Sequence, residues 1–294
     1  LGKDVLKLEG VITALITPFL PDGSIDFPAL RRLVETQIEC GVGGLVACGT
    51  TAETPALSHS EYDQVIKTVV DVVGGRVPVL VGTGTYNTQD TIDKTARAAE
   101  LGADAALVVT PYYSKPQQQG MKDHFRAVVA NGGLPVVIYN IPGRSVVNLL
   151  PAAIIELAQD PRFIGVKEAA GSVTQLRDIV CGVSPDFAVL GGDDGLCLPF
   201  YSVGACGLVS VASNVACSQM VRLWNLWKSG DAKGAAELDR RLTPLYAALF
   251  IETSPAPCKA LAEHLGICSS LVRTPLSQAT EATRKAVVDA YKLL

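Results

Sequence analysis

"PRFIGVKEAAG", residues 161–171, begins as a buried strand and ends on two charges. Phe163, Ile164, Gly165 and Val166 form an unbroken apolar run, and Lys167 and Glu168 follow at once. Continuous apolar runs, rather than alternating ones, mark strands of a parallel sheet covered on both faces. Seven more occur: Val11–Ile16, Gly44–Cys48, Val77–Val81, Ala105–Val109, Pro135–Tyr139, Phe187–Leu190 and Gly207–Val211. Amphipathic sequence separates them at intervals of roughly 25 to 30 residues, the rhythm of a (β/α)8 TIM barrel. An open doubly wound sheet fits less well, because no Gly-x-Gly-x-x-Gly opens the first unit. The nearest approximation, "GTGTYN" at Gly82, lacks the third glycine and reads as a βα turn.

The intervening helices have legible starts. "SHSE" (Ser58, Glu61) and "SVTQ" (Ser172, Gln175) are capping-box patterns, and Asp26 and Asn87 or Thr88 are further caps. Stops are expected at Gly41, Gly74 and Gly102. Beyond the eighth run lie "CSQMVRLWNLWKSG", "DAKGAAELDRRLTPLYAALFIE", "CKALAEHLG" and "TEATRKAVVDAYKLL", all helical in pattern. One closes the barrel and the rest form a C-terminal helical appendage. The division is therefore 1–225 for a catalytic barrel and 226–294 for a C-terminal α-helical domain.

A hydrophobic content of 48% suffices for one large core, and a net charge of −4 with no Lys/Arg run argues against a nucleic-acid partner. No apolar stretch reaches the roughly 18 to 20 residues that cross a bilayer. "LGKDVLKLEG" has neither an apolar signal core nor a small-residue cleavage site, so a cytoplasmic location is expected. The eight cysteines (Cys40, Cys48, Cys181, Cys197, Cys206, Cys217, Cys258, Cys268) contain no Cys-x-x-Cys pair and read as mostly buried free thiols. His59, His124 and His264 lack metal-ligand spacing, so no metal is expected.

In such a barrel the C-terminal strand ends and βα loops face the active site. Those positions carry "GTTAE" (49–53), "TPYY" (110–113), "YNIPGR" (139–144), Lys167, "GGDD" (191–194) and "SVASN" after Val209. The inventory is hydroxyls, one arginine and one lysine, with no nucleophile elbow. Asp193 and Asp194, adjacent on a turn, read as a cap or loop brace before a paired-carboxylate site. A lysine at the mouth of an apolar strand loses hydration, which favours the neutral amine. That amine condenses with a ketone to a protonated Schiff base, and tyrosine or threonine hydroxyls pass the protons without adding charge.

Each residue alone has a blander explanation. A strand-end lysine is more often ion-paired or snorkelling, and Glu168 is the obvious partner, although neighbours on a strand point to opposite faces. Tyr139 alone is a packed aromatic, Arg144 a surface cation, and Thr50 or Thr51 a turn cap. The case rests on five separate strand ends supplying groups that Schiff-base chemistry uses.

"GTTAE", "TPYYSKP", "YNIPGR", "GVKEAAG" and "GGDDGLCLPF" resemble, in order and spacing, the motifs of the 4-hydroxy-tetrahydrodipicolinate (dihydrodipicolinate) synthase family. This family belongs to the pyruvate-dependent class I aldolase superfamily with N-acetylneuraminate lyase, and the resemblance runs from about Val11 to the C-terminus. It implies a lyase that needs no separate cofactor and serves lysine and diaminopimelate biosynthesis by joining pyruvate to aspartate semialdehyde. By position, Lys167 matches the Schiff-base lysine and Tyr139 the proton-handling tyrosine. Thr50 and Tyr113 match its hydroxyl relay, with Tyr113 crossing from a neighbouring subunit. Thr51 matches the pyruvate-carboxylate contact, with the Val209 backbone and Gly192 in the substrate-binding set. Arg144 matches the receiver of the semialdehyde carboxylate. A homotetramer, a dimer of dimers, is implied.

Three departures stand out. Ala52 replaces the glycine of "GTTGE", which adds a methyl near the site and is expected to restrict the backbone, and Ala170 replaces the threonine of "KEATG". The pocket where lysine inhibits many members keeps His59 and Tyr112. Tyr62, Tyr86 and Asp90, however, stand where histidine, asparagine and glutamate are usual, so weak or absent feedback is expected. Two rivals remain. One is a sibling aldolase for N-acetylneuraminate or a 2-keto-3-deoxy sugar acid, disfavoured by Arg144 and the paired threonines. The other is a non-catalytic keto-acid-binding paralogue, disfavoured because the lysine and relay hydroxyls are all present.

Overall fold

A computed structural model describes residues 6–294; half of the N-terminal stretch read for a signal segment lies outside the described residues. Eight parallel strands close on themselves in sequence order. They are β1 (Gly10–Ala14), β2 (Gly44–Ala47), β3 (Val79–Gly82), β4 (Ala105–Val109), β5 (Val136–Asn140), β6 (Phe163–Glu168), β7 (Ala188–Gly191) and β8 (Gly207–Ser210). Closure runs through Gly10↔Gly207 to Thr13↔Ser210, where β1 pairs with β8. The architecture is the TIM barrel with added C-terminal helices.

The strands read as unbroken apolar runs because each has two buried faces. Ile12, Val46, Leu80, Leu107, Val137, Leu190 and Val209 fill the barrel interior. Val11, Leu45, Val81, Val108, Ile138, Val166, Val189 and Leu208 pack outward in the layer shared with the helices.

Strand limits depart from the sequence reading for identifiable reasons. β3 and β5 begin after Pro78 and Pro135, which have no N–H to give the ladder but still offer carbonyls, to Leu45 and Ala106. β1 stops short of Ile16, whose N–H bonds the Asn214 side chain at 3.1 Å instead of a neighbouring strand. β6 continues past Val166 through Lys167 and Glu168, paired with Tyr139 and Asn140 of β5.

The helices are α1 (Phe27–Glu39), α2 (His59–Val73), α3 (Thr88–Glu100), α4 (Gln118–Asn131), a single turn α5 (Pro142–Ser145), α6 (Pro151–Leu157), α7 (Val173–Gly182) and α8 (Cys197–Ser202). Asp26, Ser58 and Asn87 cap α1, α2 and α3, and the Ser58–Glu61 box is complete. Ser172 caps α7, but the Gln175 side chain does not return to it and bonds Asn148 instead. Gly41, Gly74 and Gly102 all take the left-handed φ that ends a helix.

After β8 come α9 (Ser213–Lys228), α10 (Ala232–Ala248), α11 (Ala256–His264) and α12 (Glu281–Tyr291). Kinked at Ala216, α9 runs across position 225 and packs on β1, while α10, α11 and α12 form a further layer. Of the eight thiols, all free, Cys48, Cys197, Cys217 and Cys258 are buried, whereas Cys181 is exposed. Among the described residues no helix is long and apolar enough to cross a membrane.

His124 on α4 is 4% exposed, with Nδ1 3.0 Å from the Thr88 hydroxyl and Nε2 without a partner among the described residues. Burial pushes its pKa down from 6.5 to about 4. Below pH 6.5 the unfolded chain therefore takes a proton that the folded one refuses, and stability is lost as pH falls toward 4. The slope has an upper limit of about 1.4 kcal/mol per pH unit. His124→Gln should flatten this part of the profile, read as urea midpoints at pH 7 and 4.5; identical pH dependence in both proteins would contradict the assignment.

Candidate active site

Parallel pairing sets Tyr139 of β5 directly across from Lys167 of β6, and Lys167 across from Leu190 of β7. Residues so paired point to the same face of a sheet, here the barrel interior. Lys167 is 6% exposed, and its Nζ lies over the Tyr139 ring, 4.2 Å from the centroid. Among the described residues it makes no ion pair. Glu168 points the other way. Its carboxylate accepts from Asn140 Nδ2 (3.0 and 3.2 Å) and from the Ala170 N–H (2.8 Å), and Asn140 is held in turn by Asn148 (2.7 Å). Burial raises the Glu168 carboxyl, and the Asn140 and Ala170 bonds oppose that shift. The adjacent charges of the opening motif therefore do not meet.

Lys167 opens into a cavity of about 290 Å³. Ala14, Val46 and Leu107, apolar residues of the barrel interior, line it with Tyr139. Thr50 and Thr51 enter from a 3-10 turn, Thr50–Ala52, that follows β2; Thr50 is exposed and Thr51 buried. Ile141, Arg144 and Ser145 enter from the end of β5 and from α5, Tyr112 from the loop after β4, and Lys94 from α3. Among the described residues the side chains of charged type lining this space are Lys94, Arg144 and Lys167, all basic.

Gly82 and Gly84 of "GTGTYN" allow close backbone approach at the wall: a Cβ there would fall 2.2 Å from Cys48 O and 2.4 Å from Val109 N. Gly192 performs the same service beside the amine, since its Cβ would lie 3.1 Å from Lys167 Cε and 2.7 Å from Ala169 Cβ. Val209 is buried in the interior cluster with Tyr139. Asp193 caps a short turn through the Gly195 N–H, and buried Asp194 accepts from Ser210 Oγ (2.5 Å) and the Val211 and Ala212 amides (3.0 Å each). These two carboxylates brace loops and do not line the cavity.

Arg144 is exposed and donates from Nη2 to Ser254 O at 3.3 Å. Tyr113 is 88% exposed with φ +71° and does not line the cavity of its own chain. No hydrogen bond joins the hydroxyls of Thr50, Tyr139 and Tyr113 among the described residues of this single chain. Ala52 sits buried in the 3-10 turn, a conformation that puts no left-handed strain on its methyl.

Of the five residues read as an effector pocket, Tyr86 and Tyr112 meet edge to face at 5.5 Å. Asp90 pairs with Lys94 at 3.4 Å, and His59 is exposed at the start of α2. Tyr62 is 6% exposed and donates its hydroxyl to Gly82 O at 3.1 Å. Lys94 escaped the sequence reading because it lies on α3, away from the strand ends, and Ser145 because it falls one residue past the "YNIPGR" motif. Among the described residues no three His, Cys, Asp or Glu side chains gather as a metal site.

The whole arrangement is a buried amine, a phenol beside it, threonine hydroxyls and a forked cation around a small space. It suits covalent capture of a carbonyl compound bearing carboxylates. Residues 7–293 match the dihydrodipicolinate synthetase family. The 4-hydroxy-tetrahydrodipicolinate synthase of Syntrophus aciditrophicus is 44% identical over 289 residues, 97% of this chain and 99% of the relative. Among solved structures, the dihydrodipicolinate synthase of Thermotoga maritima superposes with TM-score 0.95 at 38% identity, covering 98% of this chain and 99% of that one. The chloride-inhibited dihydrodipicolinate synthase of Acinetobacter baumannii, complexed with pyruvate, gives TM-score 0.95 at 36% identity over 98% and 99%. On fold, site and full-length similarity together, the chain belongs to the dihydrodipicolinate synthetase family.

Proposed function

We propose that this protein condenses pyruvate with L-aspartate 4-semialdehyde to give 4-hydroxy-tetrahydrodipicolinate, through a Schiff base on Lys167. The observation that carries the reading is Lys167 itself, buried, without a carboxylate partner among the described residues, and set against Tyr139.

The neutral amine adds to the pyruvate ketone, and the carbinolamine loses water to leave a protonated imine. Loss of a methyl proton gives an enamine whose terminal carbon attacks the aldehyde, and the aldehyde oxygen takes a proton to become the hydroxyl. The amino group of the acceptor then displaces Lys167 from the imine carbon, closing the ring and freeing the amine. Every stage moves a proton near the imine nitrogen, which Tyr139 can give and retrieve. Thr50 and the Tyr113 of a neighbouring subunit extend that relay within a homotetramer. Thr51 and the backbone at Val209 hold the pyruvate carboxylate, and Gly192 leaves room for it beside Lys167. Arg144, already oriented by Ser254 O, takes the acceptor carboxylate through its paired donors. The cationic lining favours two carboxylate-bearing substrates over a sugar aldehyde that has no carboxylate. No separate cofactor enters this scheme, and the setting is the cytoplasm.

Offering pyruvate with a panel of aldehydes tests the reading: aspartate semialdehyde should be preferred by orders of magnitude, and preference for N-acetylmannosamine or a sugar aldehyde would assign the protein to the sibling aldolases. Arg144→Ala should raise the KM for the semialdehyde by roughly 10- to 1000-fold with little change in that for pyruvate. Gly192→Ala should lower kcat about tenfold or more by displacing Lys167, without unfolding the barrel. Lysine should inhibit weakly or not at all, because Tyr62 is engaged with Gly82 O and Asp90 with Lys94. Inhibition at low micromolar lysine in a steady-state assay would refute this last expectation.

A further inference from the structure

The turn that carries Thr50 and Thr51 ends on Glu53, which is 3% exposed and adopts φ +58°. A non-glycine residue keeps that backbone conformation only where its surroundings hold it. Its side chain crosses to the C-terminal layer. Glu53 Oε1 meets Lys259 Nζ of α11 at 2.5 Å, with both side chains at 1% exposure or less, and Oε2 accepts from the Arg273 N–H at 2.8 Å. Lys259 also donates to Leu271 O at 2.8 Å and lies over the buried Phe19 ring, 4.0 Å from its centroid. Burial pushes the Lys259 ammonium toward its neutral form, and Glu53 opposes that.

The segment leading into α11 holds a second loop of the same cavity, because Ser254 O is the acceptor for Arg144. The Arg273 side chain extends the attachment, donating to Ala56 O just beyond the turn and to Glu61 at the start of α2. The two walls that carry the threonines and the arginine thus hang from one C-terminal element.

We propose that Lys259, acting through Glu53, is a positioning residue that sets the Thr50–Thr51 turn, so that the C-terminal layer tunes keto-acid binding. The inference rests on reading the cavity as a pyruvate site. A buried charge left unpaired would itself destabilise the fold, so the informative variant removes both partners: Glu53→Gln with Lys259→Met. This double variant should fold, while its KM for pyruvate rises about tenfold with a smaller change in kcat. In a Thr51→Ala background the same pair of changes should cost clearly less, since the turn no longer has that contact to lose. Arg284→Ala serves as the control, because Arg284 bonds Glu263 and Ser270 within the C-terminal layer and touches neither cavity loop. It should leave KM unchanged.

Amide hydrogen exchange across residues 49–56 gives a readout that needs no substrate: it should quicken in the double variant and not in Arg284→Ala. Unchanged exchange in a folded double variant overturns the inference, as does an equal KM rise in Arg284→Ala. If the unmodified protein consumes no pyruvate, the functional reading fails, and the exchange comparison still decides whether Lys259 positions the turn.

Discussion

A β-strand aims only every second side chain at the inside of a barrel, and in β6 that alternation separates an amine from a carboxylate. Lys167 points inward beside Tyr139, and Glu168 points outward into a network of Asn140, Asn148 and the Ala170 amide. A register slip of one residue would exchange the two, placing an acid in the cavity and an ammonium among the helices. Because the same pairing, Tyr139↔Lys167 beside Asn140↔Glu168, brings the phenol to the amine and the amide to the acid, one alignment of two strands supplies both halves of the arrangement.

The sign of the cavity's charge follows from the same separation. With Glu168 outside and Asp194 spent on Ser210 and the amides after β8, the charged groups lining the space are Lys94, Arg144 and Lys167. Low-dielectric walls strengthen the field of those cations on any anion that enters. Such a field suits carboxylate-bearing substrates, and among the described residues no acid pairs with the Lys167 amine.

The barrel was legible in the amino-acid order because two-sided burial writes itself as eight unbroken apolar runs. Strand ends were less legible, since they turn on single competing contacts such as Pro78 lacking an N–H or Asn214 taking the amide of Ile16. The residues that line the cavity from strand ends, Thr50, Thr51, Tyr139, Arg144 and Lys167, could be read because the fold itself says which positions face it. Lys94, on a helix flank, gave no such signal. Nor did the Glu53–Lys259 pair, joined across 206 residues, because burial of an ion pair between distant segments leaves no local pattern. Tyr113 was placed in the relay by resemblance; in the single chain it is exposed and does not line the cavity.

Catalysis as proposed requires the amine of Lys167 to become covalently joined to a keto acid. Incubation with pyruvate, reduction by borohydride and peptide mass mapping measure this directly. One stable adduct per chain is expected, carried on the peptide containing Lys167, and none when pyruvate is omitted. An unchanged mass, or an adduct on any other residue, would contradict it.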